Sequence, residues 1–185
     1  WTINTLSQEA LNNIITPLLN DIDSVTLKHK NIIFNIIKKN ELNTTYEQLI
    51  NEKYNSKYSP YINIKFTTPT AFKSKGNYVF YPDLRLIYQS LINKLNDSSP
   101  IYKVQNEDVL EQLTNNSFIT SYKLKSTKFN LEGIKINSFI GEITIKVNGV
   151  QELVNVANLL FKFGEYSGIG IKSAIGMGGV KIVTI

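Results

Sequence analysis

Residues 168–179 of this chain read Gly168-Ile-Gly-Ile-Lys-Ser-Ala-Ile-Gly-Met-Gly-Gly179 and contain five of its ten glycines. Glycine loses more conformational freedom on folding than any other residue, so this density indicates that another group comes close to the backbone. A loop of this kind can turn bare N–H groups toward an anion, and Lys172 adds a positive charge at its centre. We therefore expect a phosphate-binding loop; the alternative is a set of tight turns packed under a helix.

The segments before and after this loop favour a mixed fold. Apolar residues at helical spacing predict a helix over 151–165, and β-prone residues predict a terminal strand over 180–185. Further upstream, residues 118–147 form the longest stretch in which apolar and polar residues alternate, as they do in strands. One face of this stretch carries Phe139, Gly141, Ile143, Ile145 and Val147.

The second half of the chain begins with a hairpin pattern. Alternation predicts a strand over 61–66, and the turn at Gly76-Asn77 predicts a return strand over 78–81 that pairs with it. Pro82 at a first helical position opens an amphipathic helix, and a shorter helix follows over 107–113. The order hairpin, helix, long β region, helix, strand predicts an α+β domain with an antiparallel sheet and helices on one face.

The beginning of the chain looks like half of a similar domain. Trp1 and Ile3 alternate with polar neighbours and predict a short strand. Ser7 is suited to cap a helix, which Pro17 is expected to kink or restart. Residues 25–37 are β-prone. The resulting order is strand, helix, strand.

A polar segment divides the chain. A helix is predicted over 45–50, and residues 51–59 are typical of a linker. We therefore expect a first domain over 1–57 and a second over 58–185. Because the first has only half of the expected elements and the chain starts at Trp1, we interpret the sequence as a fragment.

Composition narrows the class of protein. The chain has 185 residues, 42% of them apolar, which suits a globular core, and a net charge of +5 that weakly favours a polyanionic partner. It has no cysteine, which excludes disulfides, thiolate zinc sites and cysteine nucleophiles. No apolar run reaches the roughly 18 residues of a membrane span. We expect a cytoplasmic protein with no membrane partner.

Common catalytic and nucleotide-binding motifs do not match. With one histidine, His29, and scattered carboxylates, neither a Ser-His-Asp triad nor a histidine-rich metal site is indicated. Ser173 stands where the Rossmann motif needs its third glycine, and the Gly-x4-Gly-Lys-Ser/Thr motif does not occur. His29, flanked by Lys28 and Lys30, could act as an acid in RNA cleavage, because a lone imidazole titrates near neutrality. The alternative is a solvated strand position.

The spacing of the glycines is similar to that of a known family. Gly168-Ile-Gly170, a spacer with Lys172, and Gly176-Met-Gly178 resemble the carboxy-terminal glycine-rich loop of the CRISPR-associated endoribonucleases that process repeat RNA, members of the RAMP superfamily. Segments 122–130 and 139–142 look especially like members that work with type III interference complexes. Further similar segments are 64–72, 81–83 and 160–168.

The resemblance implies a fold and a reaction. The fold is α+β with tandem ferredoxin-like (RRM-like) domains, an incomplete one over 1–57 and a complete one over 58–185. The reaction is cleavage of CRISPR repeat RNA without metal or other cofactor, in which a 2′-hydroxyl attacks the neighbouring phosphate with the help of a general base, usually histidine. In the family this histidine lies in the amino-terminal domain, so we expect it before Trp1. His29 does not match its position.

Basic and glycine residues are the expected RNA contacts. Their lysines and arginine can bind phosphates without reading sequence, and tyrosine or phenylalanine could stack an unpaired base. The aromatic pattern of sheet-surface RNA-binding domains is not present, so base stacking on the sheet is not expected. The expected RNA-binding residues are Gly168, Gly170, Lys172, Ser173, Gly176, Gly178, Lys123, Lys125, Lys128 and Arg85.

Three functions remain open from the sequence. The leading hypothesis is a repeat-RNA endoribonuclease. The second is a non-catalytic RNA-binding RAMP subunit of a CRISPR effector complex, and the third is a protein-interaction domain whose glycine loop only packs. Besides repeat RNA, other CRISPR-associated proteins and a second copy of the chain, forming a homodimer, are candidate partners.

Overall fold

A computed structural model describes residues 1–54, 57–104 and 107–183 of the chain. Its internal contacts divide the chain into two compact units, Trp1–Thr45 and Tyr46–Ile185. The described residues contain no helix that is both long enough and apolar enough to cross a membrane.

The first unit is a broken helix followed by a β-hairpin. As predicted, Ser7 caps the helix, because its Oγ accepts a hydrogen bond from the N–H of Ala10 at 3.2 Å. Pro17 lies in the first turn of a new α-helical segment, as expected for a residue that cannot donate to the preceding turn. The elements are α1 (Gln8–Ala10), a π-helical turn (Leu11–Ile15), α2 (Thr16–Asn20), β1 (Ser24–Leu27) and β2 (Ile32–Asn35).

Two predictions for the first unit are wrong. Trp1 and Ile3 do not form a strand, because β1 and β2 pair with each other and leave residues 1–5 without a pairing strand. His29 does not lie in a strand either. It lies in an exposed 3₁₀ turn, Lys28–Lys30, which joins β1 to β2 and ends at Asn31 in the left-handed conformation (φ 52°).

The second unit is built around a four-stranded antiparallel sheet with the lateral order β6-β7-β3-β8. In chain order, these strands and the helices between them give the β-α-β-β-α-β arrangement of a ferredoxin-like fold, as predicted. The bounds are α3 (Tyr46–Tyr54), β3 (Tyr61–Thr70), β4 (Phe72–Ser74), β5 (Asn77–Val79), α4 (Leu84–Ser98), α5 (Glu107–Asn115), β6 (Ser117–Leu131), β7 (Ile134–Val147), α6 (Gln151–Ser167) and β8 (Val180–Ile182).

Helix α3 belongs to this second unit. The ring of Tyr46 lies 6.3 Å from that of Phe163 on α6, and Leu49 is buried. The helix is longer than the predicted 45–50 and runs into the segment 51–59 that was expected to be a linker. Packing against α6 supplies the apolar contact that a short helix needs for stability.

The predicted hairpin between 61–66 and 78–81 is wrong. Strand β3 pairs with β7 and β8, whereas β5 pairs with β4 in a separate two-stranded ribbon. The reason lies in the turn: Lys75 and Gly76 both have positive φ (48° and 84°), which is the two-residue geometry that joins directly adjacent strands. That turn connects Ser74 to Asn77 and cannot connect back to β3.

Asp83, rather than Pro82, marks the start of α4. Its carboxylate Oδ1 accepts a hydrogen bond from the N–H of Leu86 at 2.9 Å, so Asp83 is the N-cap and Pro82 precedes the helix. A side-chain oxygen at this position satisfies an N–H group that has no partner in the first helical turn.

The core lies between the helices and one face of the sheet. Helices α4 and α6 come close together at Gly164, where a Cβ atom would lie 2.9 Å from Cδ2 of Leu91. Tyr88 is fully buried with its hydroxyl 2.8 Å from Oγ of Ser117, and burial raises the pKa of that phenol. Buried core residues include Ile62, Ile64, Phe66, Ile143, Ile145, Val147, Ile87, Leu91, Leu95, Leu153, Ala157, Leu160 and Phe161.

Candidate functional site

The glycine loop, residues 168–179, is hydrogen-bonded along the end of strand β3. The N–H of Gly178 donates to the carbonyl of Pro69 at 3.0 Å, and the N–H of Ile171 donates to the carbonyl of Ala71 at 3.0 Å. These bonds join residues about a hundred positions apart. The loop therefore adds its backbone to the edge of the fold instead of extending freely into solvent.

Two glycines are required by this close packing. A Cβ atom on Gly170 would lie 2.4 Å from the carbonyl oxygen of Ala71, and one on Gly178 would lie 1.9 Å from that of Ile169. Both residues also have positive φ, 83° and 70°. Tight packing, the alternative explanation for the glycines, accounts for these two positions. Gly176 differs, because a Cβ there would meet nothing within 4 Å.

The bare N–H groups expected in the loop are confined to its tip. Nine of the twelve N–H groups of the loop donate to protein acceptors. No hydrogen bond among the described residues uses the N–H groups of Lys172, Ser173 and Ala174, which open a 3₁₀ turn, Ser173–Ile175. Successive N–H groups of this kind can form a concave anion site.

Lys172 holds an unfavourable backbone conformation at this tip. Its φ of 54° and ψ of 31° lie in the left-handed region, which costs a residue with a Cβ about 1–2 kcal/mol. Its side chain is exposed. A strained, exposed lysine beside three unused N–H groups is the arrangement expected of a functional position.

A second lysine, which sequence reasoning missed, anchors the loop from below. Nζ of Lys94 on α4 donates to the carbonyl of Gly168 at 2.9 Å, to the carbonyl of Ser167 at 3.3 Å and to Oγ of Ser173 at 2.9 Å. One cation thus joins the end of α6 to the 3₁₀ turn. The position of Lys94 on the helix is also typical of a lysine that faces solvent, so nothing in the sequence indicated that it binds the loop.

The stability of the second unit is expected to rise with pH because of Lys94. Burial lowers the pKa of Lys94 from 10.5 to about 8. Between these two values the unfolded chain holds a proton that the folded chain has released, so the free energy of unfolding increases as pH rises through this window. The gain is at most about 3–4 kcal/mol, at about 1.4 kcal/mol per pKa unit.

Urea unfolding of the wild type and of Lys94→Met at pH 7.5 and pH 9.5 measures this effect. The stability difference between the two proteins should grow in favour of the wild type at the higher pH. A difference that stays the same at both pH values would show that Lys94 titrates near its ordinary value.

Two of the predicted β6 lysines lie on the same sheet face as the glycine loop. Lys123 and Lys125 alternate with the core-facing residues of β6 and so project from the face opposite the helices. Phe129, on the same face of β6, packs with Ile171 of the loop against a small cluster of Ala71, Ile136 and Met177. Lys125 is four residues from Phe129, or about 13 Å along the strand.

Three further lysines complete a basic surface that sequence reasoning missed. The outer face, defined here as the sheet face opposite the helices, also carries Lys65, Lys146 and Lys181, as the strand register shows. Lys65 pairs with the carboxylate of Glu142 at 2.9 Å, and Nζ of Lys146 lies 5.7 Å from the ring centre of Tyr61. The alternation within each strand predicts which residues share a face of that strand. Only the register between strands shows that the three lysines lie on the same face of the sheet.

The other two predicted basic residues lie elsewhere. Lys128 projects from the opposite face of β6 and lines a groove of about 300 Å³. Arg85 is exposed in the first turn of α4, on the helical side of the sheet. His29 lies in the first unit, in its exposed turn. Within the described ranges, no group of three or more histidine, aspartate or glutamate side chains is arranged to hold a metal ion.

Comparison with known proteins identifies the family of this site. The family model described as CRISPR-associated endoribonuclease Cas6 matches residues 64–180, which include most of β3, the β6–β7 pair and the whole glycine loop. The chain belongs to the Cas6 family. The predicted resemblance to CRISPR-associated endoribonucleases is therefore confirmed.

Two curated Cas6 proteins show how much of a relative this chain spans. A CRISPR-associated endoribonuclease Cas6 from Streptococcus thermophilus is 35% identical over 98% of this chain and 74% of its own length. A Cas6 from Mycobacterium tuberculosis is 30% identical over 98% of this chain, but only 58% of that protein is covered. The chain thus spans between 58% and 74% of the length of these Cas6 relatives.

Solved Cas6 structures share the fold. A Cas6 product complex has a TM-score of 0.80 at 22% identity, over 96% of this chain and 74% of that one. Cas6 of Thermus thermophilus has a TM-score of 0.65 at 24% identity, over 72% of this chain and 57% of that one. The likeness confirms the predicted α+β ferredoxin-like fold class. The extent of each domain stays a prediction, as does the association with type III complexes.

Proposed function

We propose that this chain binds CRISPR repeat RNA through the tip of the glycine loop and the outer face of the sheet. Two observations carry the proposal: Lys172 lies beside three unused N–H groups at the loop tip, and the neighbouring Ile171 packs with Phe129 on the face of β6 that also carries Lys123 and Lys125. Cations and backbone N–H groups recognise phosphates without reading bases. The names of the Cas6 relatives support RNA as the polyanion.

We further propose that the full protein cuts this RNA without a metal ion. In such a reaction a 2′-hydroxyl attacks the adjacent phosphate, the 5′-oxygen leaves, and the products are a cyclic phosphate and a 5′-hydroxyl. The loop tip would hold the phosphate and stabilise the charge that develops on it. The general base is not assigned to any residue of the described chain.

A cleavage assay on the full-length gene product tests this proposal. In EDTA, repeat RNA should be cut at one position to products ending in a 2′,3′-cyclic phosphate, identified by mass spectrometry. An RNA with a single 2′-deoxy nucleotide at the cut site is the matched control, and it should bind but remain intact, because the attacking hydroxyl is missing.

The outcomes separate the open functions. Binding of repeat RNA without cleavage by the full-length protein would favour the non-catalytic RAMP subunit. Absence of any preference for RNA over heparin would contradict RNA binding and favour the protein-interaction domain. The homodimer and the association with other CRISPR-associated proteins stay predictions of the family resemblance.

A further inference from the structure

A groove of about 300 Å³ lies on the side of β6 opposite the outer face. Phe80, which directly follows β5, forms one wall, and the paired strands β6 and β7 form the other. Its lining residues are Phe80, Ser126, Thr127, Lys128, Asn137 and Ser138. The volume is at the lower end of the range for small-molecule sites, which suits a ligand the size of a single nucleobase.

The aromatic wall of the groove is partly exposed to solvent. The side chain of Phe80 is 43% exposed, although burying a phenylalanine ring normally stabilises a protein by about 2 kcal/mol. The ring therefore presents free apolar surface to the groove. An aromatic ring beside a narrow groove is the usual platform on which unpaired bases stack.

The opposite wall is polar and unused. Lys128 and Asn137 face each other in the β6–β7 register, and Ser126 lies on the same face of β6. All three are exposed, and in the described chain no hydrogen bond or ion pair uses their side chains. An amide offers both donors and an acceptor to a base edge, and a lysine can bind the neighbouring phosphate.

The groove is connected to the proposed RNA surface through an edge strand. Strand β6 is the outermost strand of the sheet, so a chain lying on the outer face can pass around it without crossing the fold. Lys125 on the outer face and Lys128 in the groove are three residues apart, about 10 Å along the strand. Both faces of this edge therefore offer cations to one polyanion.

We propose that the groove binds one unpaired base of the RNA, stacked on Phe80 and hydrogen-bonded by Asn137, with the adjacent phosphate bound by Lys128. The inference rests on the proposed RNA binding and extends it, because the outer face and the loop tip contact phosphates only. The groove adds recognition of a particular unpaired nucleotide.

Fluorescence of 2-aminopurine tests the stacking. The base analogue is placed at each position of the repeat RNA in turn and mixed with the full-length protein. One position should be quenched on binding, since stacking quenches this fluorophore, and the quenching should be lost in Phe80→Leu and kept in Phe80→Tyr. An abasic nucleotide at that position should weaken binding about tenfold in the wild type and little in Phe80→Leu.

Tyr122→Leu is the matched control. Tyr122 is an exposed aromatic residue on β6, on the strand face that also carries Ser126 and Lys128. It lies four residues before Ser126 and outside the groove. It should leave both the quenching and the affinity unchanged. If the wild type binds repeat RNA but no position is quenched in a Phe80-dependent way, the groove is not a base site and the proposed function still stands. If the wild type does not bind repeat RNA, the proposed function itself fails.

Discussion

Alanine at Gly178 is expected to destabilise the second unit by at least about 3 kcal/mol. A Cβ there would lie 1.9 Å from the carbonyl oxygen of Ile169, and the same two residues share the hydrogen bond from the N–H of Ile169 to the carbonyl of Gly178 at 2.8 Å. The overlap can be relieved only by moving this backbone apart. The cost combines an unfavourable positive φ, steric strain and a lost hydrogen bond.

Alanine at Gly176 provides the matched control. Its φ of 98° is also positive, but no atom lies within 4 Å of the added Cβ. Only the conformational cost of the left-handed backbone, about 1–2 kcal/mol, should remain. Urea unfolding followed by circular dichroism measures both variants. Equal destabilisation would mean that backbone conformation alone, and not the close approach to Ile169, explains the glycines.

Lys125→Ala combined with Lys172→Ala is expected to weaken binding to repeat RNA about tenfold or more at low salt. Each lysine that neutralises a phosphate releases a counterion, and for single strands each contributes about 0.7 to the slope of log affinity against log salt concentration. The double variant should therefore reduce this slope by about 1.4. Filter binding across a salt series gives both numbers.

Lys57→Ala combined with Lys103→Ala removes the same charge from elsewhere. Both residues are exposed, and neither lies on the outer face or in the glycine loop. This pair should leave the slope nearly unchanged. If the two double variants reduce affinity equally, net charge rather than the proposed surface controls binding.

The sequence predicted most elements of the second unit because their patterns are local. Apolar spacing in α4 and α6 and alternation in β7 each depend on residues a few positions apart, and each predicted core face is buried. Pairing between strands was less predictable. Strand β3 pairs with β7 and β8, whose paired residues are about seventy or more positions away, and nothing nearby in the sequence specifies these partners.

The functional residues also divide into those with a local sequence pattern and those that depend on long-range contacts. The glycine spacing was enough to indicate the family, because the glycines of the motif lie within a short stretch of the sequence. Lys94 and the groove at Phe80 were not predictable, because each is formed by segments that only the folded chain brings together. A buried lysine and a surface lysine look alike in a sequence.

By itself, the sequence determined the fold class, the glycine loop and the kinship to RNA-processing enzymes, because these depend on periodicity and on glycines at short spacing. Only the tertiary structure decided which N–H groups of the loop remain unused, and which lysines share its face. The reason is physical: four of the nine N–H groups that are used donate to acceptors 80 or more residues away in the chain, on Thr68, Pro69, Ala71 and Ser90. Such long-range hydrogen bonds leave no local pattern in the sequence.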